Sequence, residues 1–137
     1  MLFRSAHNAL VLAPGFHDER IIDRETDDGV HTLSLDLGDQ IKGKGVDSIV
    51  CLSVNDAFVM KAWGENQGVM GDIDMIADPA GDFTKAVGLD MDASKFGLGL
   101  RSQRYSMIVK DGVVSELNVE AAGEFKVSAA DYLLAQL

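Results

Sequence analysis

The most constraining feature of the sequence is the nine-residue run "VDSIVCLSV", residues 46–54, with the polar pair Asn55-Asp56 directly after it. The run is of strand length and almost continuously apolar. An antiparallel strand with one wet face would alternate; a strand without alternation is buried on both faces, as in a parallel sheet covered by helices on either side. Asn55 or Asp56 then supplies the oxygen that caps a helix. In "DAFVMKAWGENQ" that follows, Phe58, Val59, Ala62 and Trp63 recur at helical spacing. The expectation is a strand, a tight cap and a helix packed back on the sheet.

The rest of the chain extends this unit. "IDMIAD" reads as a second short strand, and Pro79 ends it. "DPAGDFTKAVGL" reads as a short helix closed by Gly88. "DMDASKFGLGL" is glycine-rich and reads as a loop with a helical turn. "RYSMIV" and "VVSELNV" flank "KDG", a strong hairpin signal, because a type I′ turn needs positive φ at both central residues. "SAADYLLAQL" reads as a helix capped by Ser128, with Leu133, Leu134 and Leu137 facing inward. The order β-α-β-α, hairpin, helix predicts an α/β protein with helices on both faces of one sheet, laid out as a thioredoxin-like fold.

Residues 1–40 differ in character and are set apart as an atypical N-terminal segment of one domain whose main part is 41–137. "VHTLSLDL", residues 30–37, alternates and predicts a half-buried strand through Val30, Leu33, Leu35 and Leu37. The start of the chain has the outline of a weak signal peptide, Arg4 followed by "ALVLAPG". That apolar stretch is short and interrupted by His7 and Asn8, so a cytoplasmic location is expected.

Charge and residue types narrow the function. A net charge of -10 over 137 residues argues against a nucleic-acid partner and against docking on an anionic membrane. The single cysteine, Cys51, excludes an internal disulfide. His7, His17 and His31 share no metal-ligand spacing, so neither metal nor cofactor is expected. "GLGL" at 97–100 is not followed by a phosphate-loop lysine.

The strings "KGVDSIVCLSVNDAFVMKAWG", "ADPAGDFTKAVGLDMD" and "GLGLRSQRYSMIVKDGVVSELNVE" closely resemble the type II atypical peroxiredoxins, a thioredoxin-fold group of thiol peroxidases. The resemblance covers about 39–137. It implies reduction of hydrogen peroxide and alkyl hydroperoxides, with glutathione, glutaredoxin or thioredoxin as reductant, and a homodimer. It also implies a peroxidatic cysteine in a P-x-x-[ST]-x-x-C motif at a helix N-terminus, where the helix and an arginine lower the thiol pKa. Arg104 matches that arginine. The motif itself is absent: the prolines are Pro14 and Pro79, and neither has a cysteine six residues on. Cys51 matches a buried mid-strand cysteine of the family and is expected to be structural, because desolvation raises a thiol pKa. Arg101 is expected to be surface charge. Phe58, Met60 and Trp63 on the first clear helix read as core side chains before anything else. The resemblance implies, as the alternative, that Phe58, Trp63 and the "SQRY" loop with Tyr105 lie in the region of the family's dimer interface. The leading expectation is therefore a peroxidase by lineage that is inactive as this chain. The alternatives are a non-enzymatic dimerisation or binding module, and a one-cysteine peroxidase using Cys51. Were residues 1–40 to leave the sheet edge bare, the product would aggregate unless "VHTLSLDL" paired onto it.

Overall fold

The computed structural model describes residues 8–13 and 35–137. A five-stranded sheet carries strands β1 (Asn8–Ala13), β2 (Ser48–Ser53), β3 (Asp74–Ala77), β6 (Tyr105–Lys110) and β7 (Val113–Val119), in the order β3-β2-β1-β6-β7. Strands β1, β2 and β3 are parallel; β6 runs antiparallel to β1 and to β7. Helices α1 (Leu35–Gly43), α2 (Ala57–Gln67), α3 (Asp82–Ala86) and α4 (Ala130–Leu134) complete the layers. A separate two-stranded ribbon pairs β4 (Asp90–Asp92) with β5 (Leu100–Ser102) around a 3-10 turn at Ser94–Phe96. The helical turn expected within "DMDASKFGLGL" is this 3-10 turn, while the ends of the stretch pair as a ribbon where a loop was expected.

The apolar run behaves as a strand buried on both faces. Ile49 and Cys51 of β2 belong to one core with Ile41 of α1, Met60 of α2, Ile108 of β6 and Leu133 of α4. Val50 and Leu52 belong to a second core with Val11, Leu89, Tyr105, Met107 and Val109, against which Phe83 of α3 and Val87 pack. The period-2 alternation of side chains thus feeds two cores from one strand. Asp56 caps α2, its Oδ1 accepting from the Val59 N–H at 2.8 Å. The hairpin turn is as expected, with positive φ at Asp111 and Gly112.

The largest departure is β1. The stretch "NALVLA", which has the outline of a signal-peptide core, forms the central strand, pairing Leu12 with Cys51 on one side and with Ser106 on the other. Its Val11 is fully buried. The edge of β2 is therefore covered by residues 8–13. Leu35 and Leu37 of "VHTLSLDL" lie in α1, while 30–34 lie outside the described residues.

Two smaller corrections follow from packing. The inner side of α2 is Met60, Trp63 and Gly64, whereas Phe58 is 85% exposed and Val59 46%. Ser128 does not cap α4; its hydroxyl donates to Glu120 Oε1 at 2.8 Å, and α4 starts without a side-chain cap. Leu133 is fully buried as expected, and Leu134 and Leu137 pack beside it.

Candidate functional site

In an open α/β sheet, binding sites form beyond the carboxyl ends of parallel strands, where the strand order reverses. Here that point is β1, flanked by parallel β2 and antiparallel β6. Its last residue, Ala13, pairs with Tyr105, the first residue of β6. Arg104 immediately precedes Tyr105 and so stands at the carboxyl end of β1.

The setting of Arg104 is specific. The Glu120 N–H donates to its carbonyl at 3.0 Å. Its guanidinium carbon lies 4.7 Å from the centroid of the Phe125 ring. Glu120 Oε1 accepts from the N–H groups of Lys126 (2.6 Å) and Ser128 (2.7 Å) as well as from the Ser128 hydroxyl. Partial burial pushes the Glu120 carboxyl up, but those hydrogen bonds and the charge of Arg104 outweigh it and hold the group below the ordinary carboxylate range.

Two further groups shape the ends of β2 and β3. Arg101 is half-buried and not free surface charge: its Nη1 donates to the Val54 carbonyl at 2.6 Å and to Asn55 Oδ1 at 3.1 Å. Asn55 in turn donates to Ser53 Oγ at 3.0 Å. Asp78, just beyond β3, donates its N–H to the Ser53 carbonyl at 2.9 Å. Its carboxylate accepts from the N–H groups of Phe83 and Thr84 and from the Thr84 hydroxyl at 2.7 Å, and so caps α3. Burial again raises the Asp78 carboxyl, and the hydrogen bonds from Thr84 and Phe83 overcome it and lower its pKa.

Cys51 is elsewhere. It sits in the middle of β2, 1% exposed, with its side chain in the core shared by α1, α2 and α4. Leu12 of β1 separates it from Ser106, and two strand spacings put Cys51 and Ser106 about 10 Å apart. Arg104 is two residues beyond Ser106. The structure thus does not bring Cys51 and Arg104 together. Burial pushes the Cys51 thiol up to about 12.

The residues read as core or, alternatively, as interface separate as well. Phe58 is on the surface, Trp63 packs partly buried against the core, and Tyr105 is fully buried. Tyr105 is therefore a core side chain that offers no surface to a second copy. Burial, with a smaller effect from Asp78, raises its hydroxyl pKa. The described residues contain no group of three or more His, Cys, Asp or Glu side chains placed to hold a metal, and no described helix is long and apolar enough to cross a membrane. The three histidines lie outside the described residues. Asp78, Glu120 and Phe125 carry no local sequence signal; only the fold brings them to the site.

Comparison with known proteins gives one answer. The Redoxin family matches residues 31–134. Peroxiredoxin-2B of Arabidopsis thaliana is 44% identical over 103 residues, which are 75% of this chain and 64% of that protein. Peroxiredoxin-2E-2, chloroplastic, of Oryza sativa subsp. japonica is 47% identical over 72% of this chain and 45% of its own length. The chain thus spans less than two thirds of these curated relatives. Among solved structures, reduced Prx3 from Vibrio vulnificus superposes with a TM-score of 0.80 at 46% identity, covering 98% of this chain and 83% of that one. The same protein in complex with H2O2 gives 0.77 at 48% identity, covering 99% and 84%.

Proposed function

Because the chain belongs to the peroxiredoxin branch of the redoxin family, we propose that it carries the peroxide-binding side of a thiol-dependent peroxidase for hydrogen peroxide and alkyl hydroperoxides, with Arg104 as the arginine that meets the peroxide. The observation that carries this reading is the position of Arg104 at the carboxyl end of β1, the reversal point of the sheet. A planar fork of donors suits a pair of neighbouring oxygens. In such a reaction a thiolate attacks one peroxide oxygen, the O–O bond breaks, the second oxygen leaves as water or alcohol after taking a proton, and the sulfur becomes a sulfenic acid. A thiol reductant (glutathione, glutaredoxin or thioredoxin) then returns it to the thiol.

The thiol for that attack is not Cys51. A group with a pKa of about 12, enclosed in the core, supplies almost no thiolate at neutral pH. This 137-residue chain, with no P-x-x-[ST]-x-x-C, is therefore inactive as a peroxidase. A coupled assay with hydrogen peroxide or tert-butyl hydroperoxide, and thioredoxin or glutaredoxin as reductant, tests this. Turnover equal to the protein-free blank is expected. Turnover abolished by Cys51→Ser would establish the one-cysteine reading instead.

A binding role through self-association is the second reading, and the exposure of Phe58 (85%) and Phe96 (70%) favours it. Sedimentation of a dimer that Phe58→Asp converts to monomer would support it; a wild-type monomer at high concentration would remove it. A cytoplasmic location is part of the same proposal.

A further inference from the structure

We propose that Glu120 and Phe125 are positioning residues that hold the Arg104 guanidinium in one orientation at the carboxyl end of β1. This inference rests on the reading of Arg104 as the peroxide-facing group. A free arginine side chain carries about 2 kcal/mol of rotamer entropy, so it presents its donors in many directions. Two features restrict it here. The Phe125 ring lies 4.7 Å from the guanidinium carbon, close enough for a cation–π contact. Such a contact uses the flat face of the guanidinium and leaves the in-plane N–H donors for oxygen partners.

Phe125 is itself held by its neighbours. It lies in the segment between β7 and α4, and the residues that follow it are tied to one oxygen, Glu120 Oε1, by the Lys126 N–H, the Ser128 N–H and the Ser128 hydroxyl. The Glu120 N–H also binds the Arg104 carbonyl, so the same residue fixes the backbone under the guanidinium and the loop that bears the ring. The carboxylate and the guanidinium interact electrostatically. Glu120 is 16 residues from Arg104 and Phe125 is 21; the β6–β7 hairpin and its exit bring all three together.

The test is the side-chain N–H resonance of Arg104 in the isotopically labelled chain, with Arg101 as internal control because it is anchored separately to Val54 and Asn55. In the wild type the Arg104 signal is expected to be shifted upfield by the Phe125 ring and to exchange slowly. Phe125→Leu should abolish that shift and leave the Arg101 signal in place, while Phe125→Tyr should retain it. Glu120→Gln should move the Arg104 signal toward that of a free arginine. Should Glu120→Gln unfold the chain, seen as loss of the Arg101 signal, an acid titration of the wild type replaces it, and the Arg104 signal should then follow protonation of Glu120 below the ordinary carboxylate range. A wild-type Arg104 signal at the free-arginine position, or one unmoved by Phe125→Leu, would overturn the proposal. Neither result depends on peroxide turnover, so failure here is distinct from failure of the functional reading.

Discussion

A thiol reagent offered to the folded chain at pH 7 should scarcely reach Cys51, and the size of the effect can be worked out. With a pKa of about 12, the thiolate fraction at pH 7 is about 10⁻⁵. A free cysteine, with a pKa of about 8.5, is about 3% thiolate at that pH. Ionisation alone therefore slows the reaction by about three powers of ten, and the 1% exposure of the residue slows it further. The assay is labelling by a chromogenic disulfide, first native and then in concentrated urea, where the thiol regains its ordinary pKa. The native rate should be lower by at least about a thousandfold. A native rate within about tenfold of the unfolded one would refute the argument that the strand interior controls this sulfur. The same shift has a consequence for stability. The folded pKa lies above the unfolded one, so the unfolded chain loses this proton first, and this contribution to stability declines as pH rises from about 9 toward 12.

Other outcomes follow from the site and its supports. Asp78→Ala removes the carboxylate that caps α3 and should cost about 1–2 kcal/mol in chemical denaturation. In the wild type the folded Asp78 pKa is depressed, so its contribution is present above the ordinary carboxylate range and is lost as pH falls through the lowered value. Gly81→Ala places a Cβ against Leu100 Cδ2 at a backbone φ of 68°, and should destabilise by about 1–3 kcal/mol, measured as a lowered urea midpoint. Tyr105→Phe should leave stability unchanged or raise it by about 1 kcal/mol, because the buried hydroxyl makes no hydrogen bond among the described residues.

How much of this was legible depends on how local each signal is. The β2 strand, the Asp56 cap and the Asp111-Gly112 turn depend on neighbours in sequence, and each lies where the pattern put it. The closing helix lies in its expected stretch but is shorter, Ala130–Leu134, because Ser128 binds Glu120 and does not cap it. The central strand β1 was missed because six residues carry little periodicity of their own; its place comes from pairing with β2 and β6. The three-residue strands β4 and β5 are defined only by each other. On α2 the apolar residues outnumber the inward positions, so Phe58 fitted a helical stripe while facing solvent. Positions 37 and 41, four apart, fit a helix as well as Leu33, Leu35 and Leu37 fit a strand, and the helix prevails over 35–43. At the site, Arg104 was legible through the family resemblance. Arg101 was misjudged because its partners, Val54 and Asn55, lie more than forty residues away.

The most direct test of the account is to mix the fully reduced chain with hydrogen peroxide, follow peroxide loss on the millisecond scale, and then add dimedone and weigh the intact protein. The account predicts peroxide loss no faster than with a free thiol and no dimedone adduct, because Cys51 lies in the core and away from Arg104. Rapid peroxide loss with a single dimedone adduct on Cys51, both abolished by Cys51→Ser, would contradict it.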